Sequence, residues 1–307
     1  MFTHQDDETT NWFSKNRSLL LRLFGTLLAT ILIVLLVQRE GWNEIVGSLK
    51  QVSFPSFFLA LISLLISRIF VVTRWHVLLR SGKVAIPFSR TAELTFTGLF
   101  AANFLPTTIG GDVVRLAGAM QLGFDRAICL ASIAADRLIG IIGMSFAAPL
   151  GLAPTWNSIG QVAWYSSTFP LSFQKLVAFA RRTLETLYTW LRQPKALITS
   201  LFCSWGNMLF IFGALYLIIE GLGNHVSFGL IAGLWSLSYF VTLVPISING
   251  YGVQELSLTF LFSHVAGLNA ADSLAVAVLI RILFMFCSLP GAIFLPGILS
   301  AMDRRKA

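Results

Sequence analysis

The sequence predicts an all-α, polytopic membrane protein. Three observations carry that reading: 56% of the 307 residues are hydrophobic, only 12% are charged, and apolar runs long enough to cross a bilayer recur along the chain. A soluble domain carries about a quarter charged residues, so most of this chain's surface must face something apolar. The 22 basic residues exceed the 14 acidic ones, a net charge of +8. In a membrane protein that excess fits cytoplasmic loops and anionic headgroups rather than nucleic acid.

The first expected span is Leu19–Val37, behind a cytoplasmic tail over residues 1–18 that ends with Lys15 and Arg17 close to the span. It looks like a signal sequence, but "VLLVQREGW" has no small-x-small cleavage site, so a retained helix is expected. Arg22 can snorkel to the cytoplasmic side. A short loop with Arg39, Glu40, Glu44 and Lys50 follows, then a second span over Phe54–Leu79. Arg80, Lys83 and Arg90 come after it, which places both ends of this helical pair in the cytoplasm. Arg68 lies midway along the second span; Arg74 is close enough to its end to snorkel.

Ser89–Phe104 is apolar but short, and it stops at "NFLPTTIGGDVVR" (Asn103–Arg115). Val113–Leu122 reads as a helical return and Ala127–Leu152 as a full span. Asn157–Ala180 is a weak span, interrupted by Pro170 and Lys175. Lys175–Arg192 overlaps it as an amphipathic surface helix, with Leu176, Phe179, Leu184, Leu187 and Leu191 on one face. Lys195–Leu222 spans. Phe228–Leu243 ends at "LVPISINGYGVQE", Leu256–Val265 is helical again, and Ala270–Met302 is a last span broken near its end by Pro290 and Pro296. Arg304, Arg305 and Lys306 hold the tail at 303–307 inside. The expectation is one integral membrane domain over residues 19–302, with about seven crossings and two re-entrant, Pro/Gly-broken hairpins.

The chain repeats itself. "GFDRAICLASIAADR" (Gly123–Arg137) and "GLNAADSLAVAVLIR" (Gly267–Arg281) align at an offset of 144, including Gly123/Gly267 and Arg137/Arg281. Before each, a helix ends at a proline (Pro106, Pro245), glycines follow (Gly110 and Gly111; Gly250 and Gly252), then an acid (Asp112, Glu255). The acid precedes its arginine by 25 residues in the first half and 26 in the second. Interrupted apolar segments at matching places in two halves point to a transporter binding site. If Asn157–Ala180 crosses, the halves (about residues 84–152 and 226–302) are inverted, the geometry of alternating access.

Arg137 and Arg281 fall near mid-depth, where a charge costs roughly 2.5–3.5 kcal/mol and faces a partner or a wet cavity. Asp112 and Glu255 are their candidate partners, for pairing or gating. Asp136 points about 100° round the helix from Arg137 and so toward something else. The same residues serve as structural ion pairs or as a cavity for an anionic headgroup, with arginines as bidentate phosphate donors. Arg115, Asn103 and the four loop glycines complete the candidate substrate site; bare amides there can hold an anion. Cys129, Cys203 and Cys287 sit in apolar runs as small buried groups, and the four histidines are scattered, so no metal or other cofactor is expected. No catalytic constellation or nucleotide loop is visible, which leaves a gradient, mass action or a partner to drive any transport.

The segment "NFLPTTIGGDVVRLAGAMQLGFDRAICLASIAADRLIG" (Asn103–Gly140) resembles the first signature of the lysylphosphatidylglycerol synthase transmembrane-region family of flippase-like proteins. "VPISINGYGVQE" (Val244–Glu255), with Arg281, resembles the second. The resemblance implies an inner-membrane protein, both termini cytoplasmic, that moves an anionic phospholipid or polyprenyl-linked lipid between leaflets. Enzymes of lipid or polysaccharide synthesis are the implied partners. In the lysyl-lipid synthases a soluble aminoacyl-transferase domain follows this region; here five residues follow Met302, so a stand-alone member is expected. The competing readings are a membrane-embedded glycosyltransferase-like enzyme and an accessory scaffold.

Overall fold

Placement is described for residues 23, 27–28, 30–39, 41–105, 110–159, 194–244, 247 and 250–303 of the computed structural model. Among them are helices α1 (Thr30–Arg39), α2 (Trp42–Gln51), α3 (Phe54–Ser81), α4 (Phe88–Ala102), α5 (Gly110–Gln121) and α6 (Arg126–Ala147). The rest are α7 (Pro149–Ile159), α8 (Pro194–Gly221), α9 (Phe228–Leu243), α10 (Val253–His264), α11 (Ala270–Ser288) and α12 (Pro290–Asp303). The described residues contain no strand. Four helices, α3, α6, α8 and α11, are long and apolar enough to cross a membrane.

Two 28-residue helices, α3 and α8, form the axis. Ser53 starts α3 by accepting the Ser56 amide hydrogen, and Pro55 fits the first turn because its missing N–H has no helical partner there. The axis is held by small and polar groups, as expected where lipid leaves no hydrophobic gain between helices. Ser67 donates to Asn207 at 2.7 Å and Ser63 to the Phe210 carbonyl at 2.7 Å. Gly206 makes room for the Phe70 ring. Ser56 meets Gly221 at one end of the pair, and Arg80 neighbours Lys195 at the other, so α3 and α8 run antiparallel.

That antiparallel axis inverts everything built on it. Trp75 donates to Ser132 at 3.1 Å, and Leu79 and Val84 pack on Cys129 and Ile133, so α6 starts beside the C-terminal end of α3. Asn224 donates to Asp272 at 2.8 Å, so α11 starts beside the C-terminal end of α8. The hairpin α4–α5 enters and leaves at the α3 C-terminal end, with Thr91 bonded to His76 and Ala119 in the same cluster as Leu79. The hairpin α9–α10 does the same at the α8 C-terminal end, where Phe228 meets Tyr216, and Phe262 shares a cluster with Leu222. With 15 and 16 residues, α4 and α9 reach about 22–24 Å at 1.5 Å per residue, short of the ~30 Å core. Both are re-entrant, from opposite sides.

The repeat is longer than the sequence suggests. It comprises α3–α7 and α8–α12, related by offsets of 140 at α3 and α4, 143 at α5, 144 at α6 and 141 at α7. The two halves also clasp each other. Gly151 of α7 lies against Gly233 of α9, and Gly291 of α12 against the Phe96–Thr97 backbone of α4, each too close to admit a Cβ.

Four expectations need correction. The stretch between the first two spans is a helix, α2, which buries Ile45 and Ser48. Ala127–Leu152 is not one span: α6 ends at Ala147, and Pro149, which cannot donate to the ladder, opens α7. Ala270–Met302 breaks at Pro290 as expected, but Pro296 lies inside α12 and does not interrupt it. The return helices begin three residues earlier than their apolar patterns, taking Asp112 and Glu255 into their first turns. Most of the weak span expected over 157–180 and all of the amphipathic segment expected over 175–192 lie outside the described residues, α7 reaching only Ile159.

Gly233→Val places side-chain atoms in the Gly151 backbone and should cost about 1–3 kcal/mol. Gly229→Val, four residues earlier on α9 with open space around it, should change stability by less than about 0.5 kcal/mol. Melting midpoints of the two purified variants in the same detergent measure the difference.

Candidate functional site

Each half places one acid at the start of a helix that begins in mid-bilayer. Asp112 sits in the first turn of α5, where the helix dipole favours a negative charge. Gly110 and Gly111 form that turn in ordinary helical backbone; they serve proximity, not left-handed geometry. Gly111 lies so close to the Gly98 carbonyl that the two arms of the hairpin touch through bare backbone. In the second half the glycines do adopt left-handed conformations, Gly250 at φ 74° and Gly252 at φ 77°. Their turn lets the Gly252 N–H donate to the Glu255 carboxylate at 2.7 Å.

Both acids hold the arginine of the following long helix. Arg137 Nε donates to Asp112 Oδ2 at 2.5 Å, and Arg281 Nε to Glu255 Oε1 at 2.5 Å. Both arginines are twelfth in their helices, α6 and α11. Their surroundings differ: the Arg137 side chain is 41% exposed, that of Arg281 16%. Arg281 also stacks on the Tyr251 ring at 4.7 Å.

The first half adds a buried network that the second lacks. Asp136 is 3% exposed and receives Arg74 Nε at 2.6 Å and both Arg115 terminal nitrogens at 3.2 Å. Arg115 Nη1 also reaches Asp112 at 3.1 Å, and its guanidinium lies 4.0 Å over the Trp75 ring. Arg74 donates to Ser204 on α8 at 3.1 Å. The result is a continuous chain, Arg74–Asp136–Arg115–Asp112–Arg137, tying α3, α5, α6 and α8 together. Asp136 and Arg137 do point apart on α6, yet Arg115 and Asp112 rejoin them. At the matching places the second half has Ala214, Ile280 and Leu258.

The two hairpin tips meet. Tyr251 donates its hydroxyl to the Asn103 carbonyl at 3.1 Å, and the Asn103 amide donates to Ser288 at 2.8 Å. Asn103, Tyr251 and Arg281 therefore join the acid–arginine pairs into one mid-depth region. Arg74 does not snorkel; it is 8% exposed and paired. Arg74, Trp75, Ser204 and Tyr251 were not picked out as site residues, because their roles depend on which helices are neighbours. Among the described membrane-depth groups, Arg68, Arg74, Arg115, Arg137 and Arg281 face Asp112, Asp136 and Glu255, an excess of two positive charges.

Inverted helical halves, each with a broken hairpin and a charged mid-depth tip, define a polytopic membrane domain of the kind built from internal repeats. The chain belongs to the family described as the lysylphosphatidylglycerol synthase TM region, which it matches over residues 22–173 and 163–291. That family is a membrane domain of a lipid-related pathway. No curated protein matches the chain.

Asp136→Ala should strand two buried guanidinium groups and cost about 3–5 kcal/mol. Arg137→Ala, which leaves Asp112 its bond to Arg115, should cost less than half of that. Unfolding midpoints in detergent rank the two.

Proposed function

We propose that the protein moves an anionic lipid, or a lipid-linked glycan headgroup, between the leaflets of a bacterial inner membrane. The observation that carries this reading is the meeting, at mid-depth, of two oppositely entering hairpins whose tips each hold an acid–arginine pair. A headgroup crossing the core needs donors at the point where water is absent. Arginine supplies paired N–H groups with a permanent charge. Arg137 is the reachable donor in the first half, Arg281 its counterpart in the second, and Asp112 and Glu255 hold each guanidinium until an anion competes for it. Gly110, Gly111, Gly250 and Gly252 shape the tips, and Arg115, Asn103 and Asp136 brace them. Inverted halves exchange which side the shared site faces by rocking one against the other.

The proposed orientation puts the α3 C-terminal end in the cytoplasm. Arg80, Lys83, Arg90, Arg126 and Lys195 gather there, whereas the opposite end has fewer basic residues among those described, Arg39 and Lys50, mixed with Glu44, Glu220 and Asp272. Both chain termini are then cytoplasmic. Enzymes of lipid or surface-polysaccharide synthesis are the natural source of the cargo.

Transport is measurable in proteoliposomes as the exposure of a fluorescent lipid headgroup to a membrane-impermeant reductant. Arg137→Ala and Arg281→Ala should each slow exposure about ten- to a hundredfold, the worth of a hydrogen bond to a charged group, while melting as cooperatively as the parent. Two folded variants moving lipid at the parent rate would remove the arginines from the mechanism.

A further inference from the structure

Arg68 is the one mid-depth arginine that the acid–arginine scheme leaves unused. It lies halfway along α3, and among the described residues it donates no hydrogen bond and meets no carboxylate. Its recorded neighbour is the Phe284 ring of α11, 4.7 Å from the guanidinium carbon. A ring covers only the flat face of a guanidinium; the N–H groups lie in the plane and stay free to donate. Arg68 also stands on the border of α3: Leu64 and Ser67 are fully buried, while Leu65 and Ile69 are exposed on the outer surface at 38% and 55%. Arg68 itself is half-buried, so an anion held by a lipid can reach it sideways from the bilayer.

Arg281 belongs to the same neighbourhood. It precedes Phe284 by three residues, so both project from one face of α11. Glu255 takes its Nε, but its Nη2 is buried with no acceptor among the described residues. The charge count divides accordingly. Arg74, Arg115 and Arg137 oppose Asp112 and Asp136 in one cluster; in the other, Arg281 is paired with Glu255, and Arg68, beside Phe284, adds a charge that no carboxylate opposes among the described residues. Each cluster is one positive charge in excess. A phosphodiester, with one negative charge and in-plane oxygen acceptors, is the chemistry that fits such a deficit.

We infer that the contact face of α3 and α11 around Phe284 is a phosphate-binding site in which Arg68, stacked on Phe284, is the first donor met by a phosphate entering from the lipid and Arg281 the second. This deepens the transport reading above, since it names the cargo's chemical group and the side by which it enters.

The test is binding rather than transport. Short-chain phosphatidylglycerol, phosphatidylcholine and inorganic phosphate are each titrated into the detergent-solubilised full chain, and bound ligand is counted by native mass spectrometry. Arg68→Met should weaken phosphatidylglycerol binding about tenfold or more, and Arg68→Lys, which keeps charge without the planar fork, should fall between. In lipid-free detergent Arg68→Met should melt no lower than the parent, because it removes an unpaired charge; a lower midpoint assigns Arg68 a structural role and overturns the inference. Equal phosphatidylglycerol binding by Arg68→Met overturns it too. If inorganic phosphate binds as well as the lipid, the phosphate chemistry stands and the lipid source falls. Normal transport by Arg137→Ala alongside lost binding by Arg68→Met would reject the transport mechanism and keep this site.

Discussion

A helix that stops halfway across a bilayer must satisfy its unpaired amides without water, and everything distinctive in this protein follows from how that is done. α5 and α10 both begin at mid-depth, each with a carboxylate in the first turn. The carboxylate supplies negative charge where the helix dipole is positive, and at Glu255 it takes a backbone N–H directly. A carboxylate in that position is itself too expensive to leave alone in hydrocarbon. An arginine on the next helix is its counterion, and so α6 and α11 each carry one at mid-length. Broken helix, acid and arginine are one requirement expressed three times.

The two halves meet this requirement to different depths. In the first, the pair is the outer end of a five-residue chain that reaches Ser204 on the axis. Its members are joined by multiple charge-assisted bonds, the kind of network that fixes one arrangement. In the second, Glu255 and Arg281 are backed by an aromatic ring, a leucine and an isoleucine. The hairpin-tip glycines with positive φ, Gly250 and Gly252, also belong to this half, as does Tyr251, which crosses to the other tip. The first half is thus built as a frame and the second as the part with fewer restraints.

The broken hairpins and their mirrored acid–arginine spacing were legible because each lies within some thirty residues and occurs twice. The inversion of the halves followed from charge at the helix ends, although the segment it leaned on, around 157–180, falls mostly outside the described residues. What stayed hidden was relational. Arg74 stands seven residues from the end of α3, within snorkelling reach, and only the contact of α3 with α6 shows that Asp136 captures it first. α7 was hidden for the opposite reason: hydropathy continues through Pro149, so composition reads on where the backbone turns, whereas the break at Pro290 was legible in the pair of prolines near the end of the last span. α2 was hidden by its charges, since a short helix lying across the end of a bundle has the composition of a loop.

The clasp explains why so much charge can be kept at depth. α7 crosses the hairpin of the second half at Gly233, and α12 crosses that of the first at Phe96 and Thr97, each through a glycine with no room for a side chain. Close backbone contact gives dispersion and weak Cα–H bonding without any hydrophobic drive, which lipid does not provide. These exchanged contacts press both tips toward the centre, where Tyr251 reaches Asn103. They add to the ion pairs that bind each hairpin to the long helix after it, Asp112 to Arg137 and Glu255 to Arg281. Glycine contact and ion pairing together hold the charges at depth, where among the described residues five guanidinium groups stand against three carboxylates.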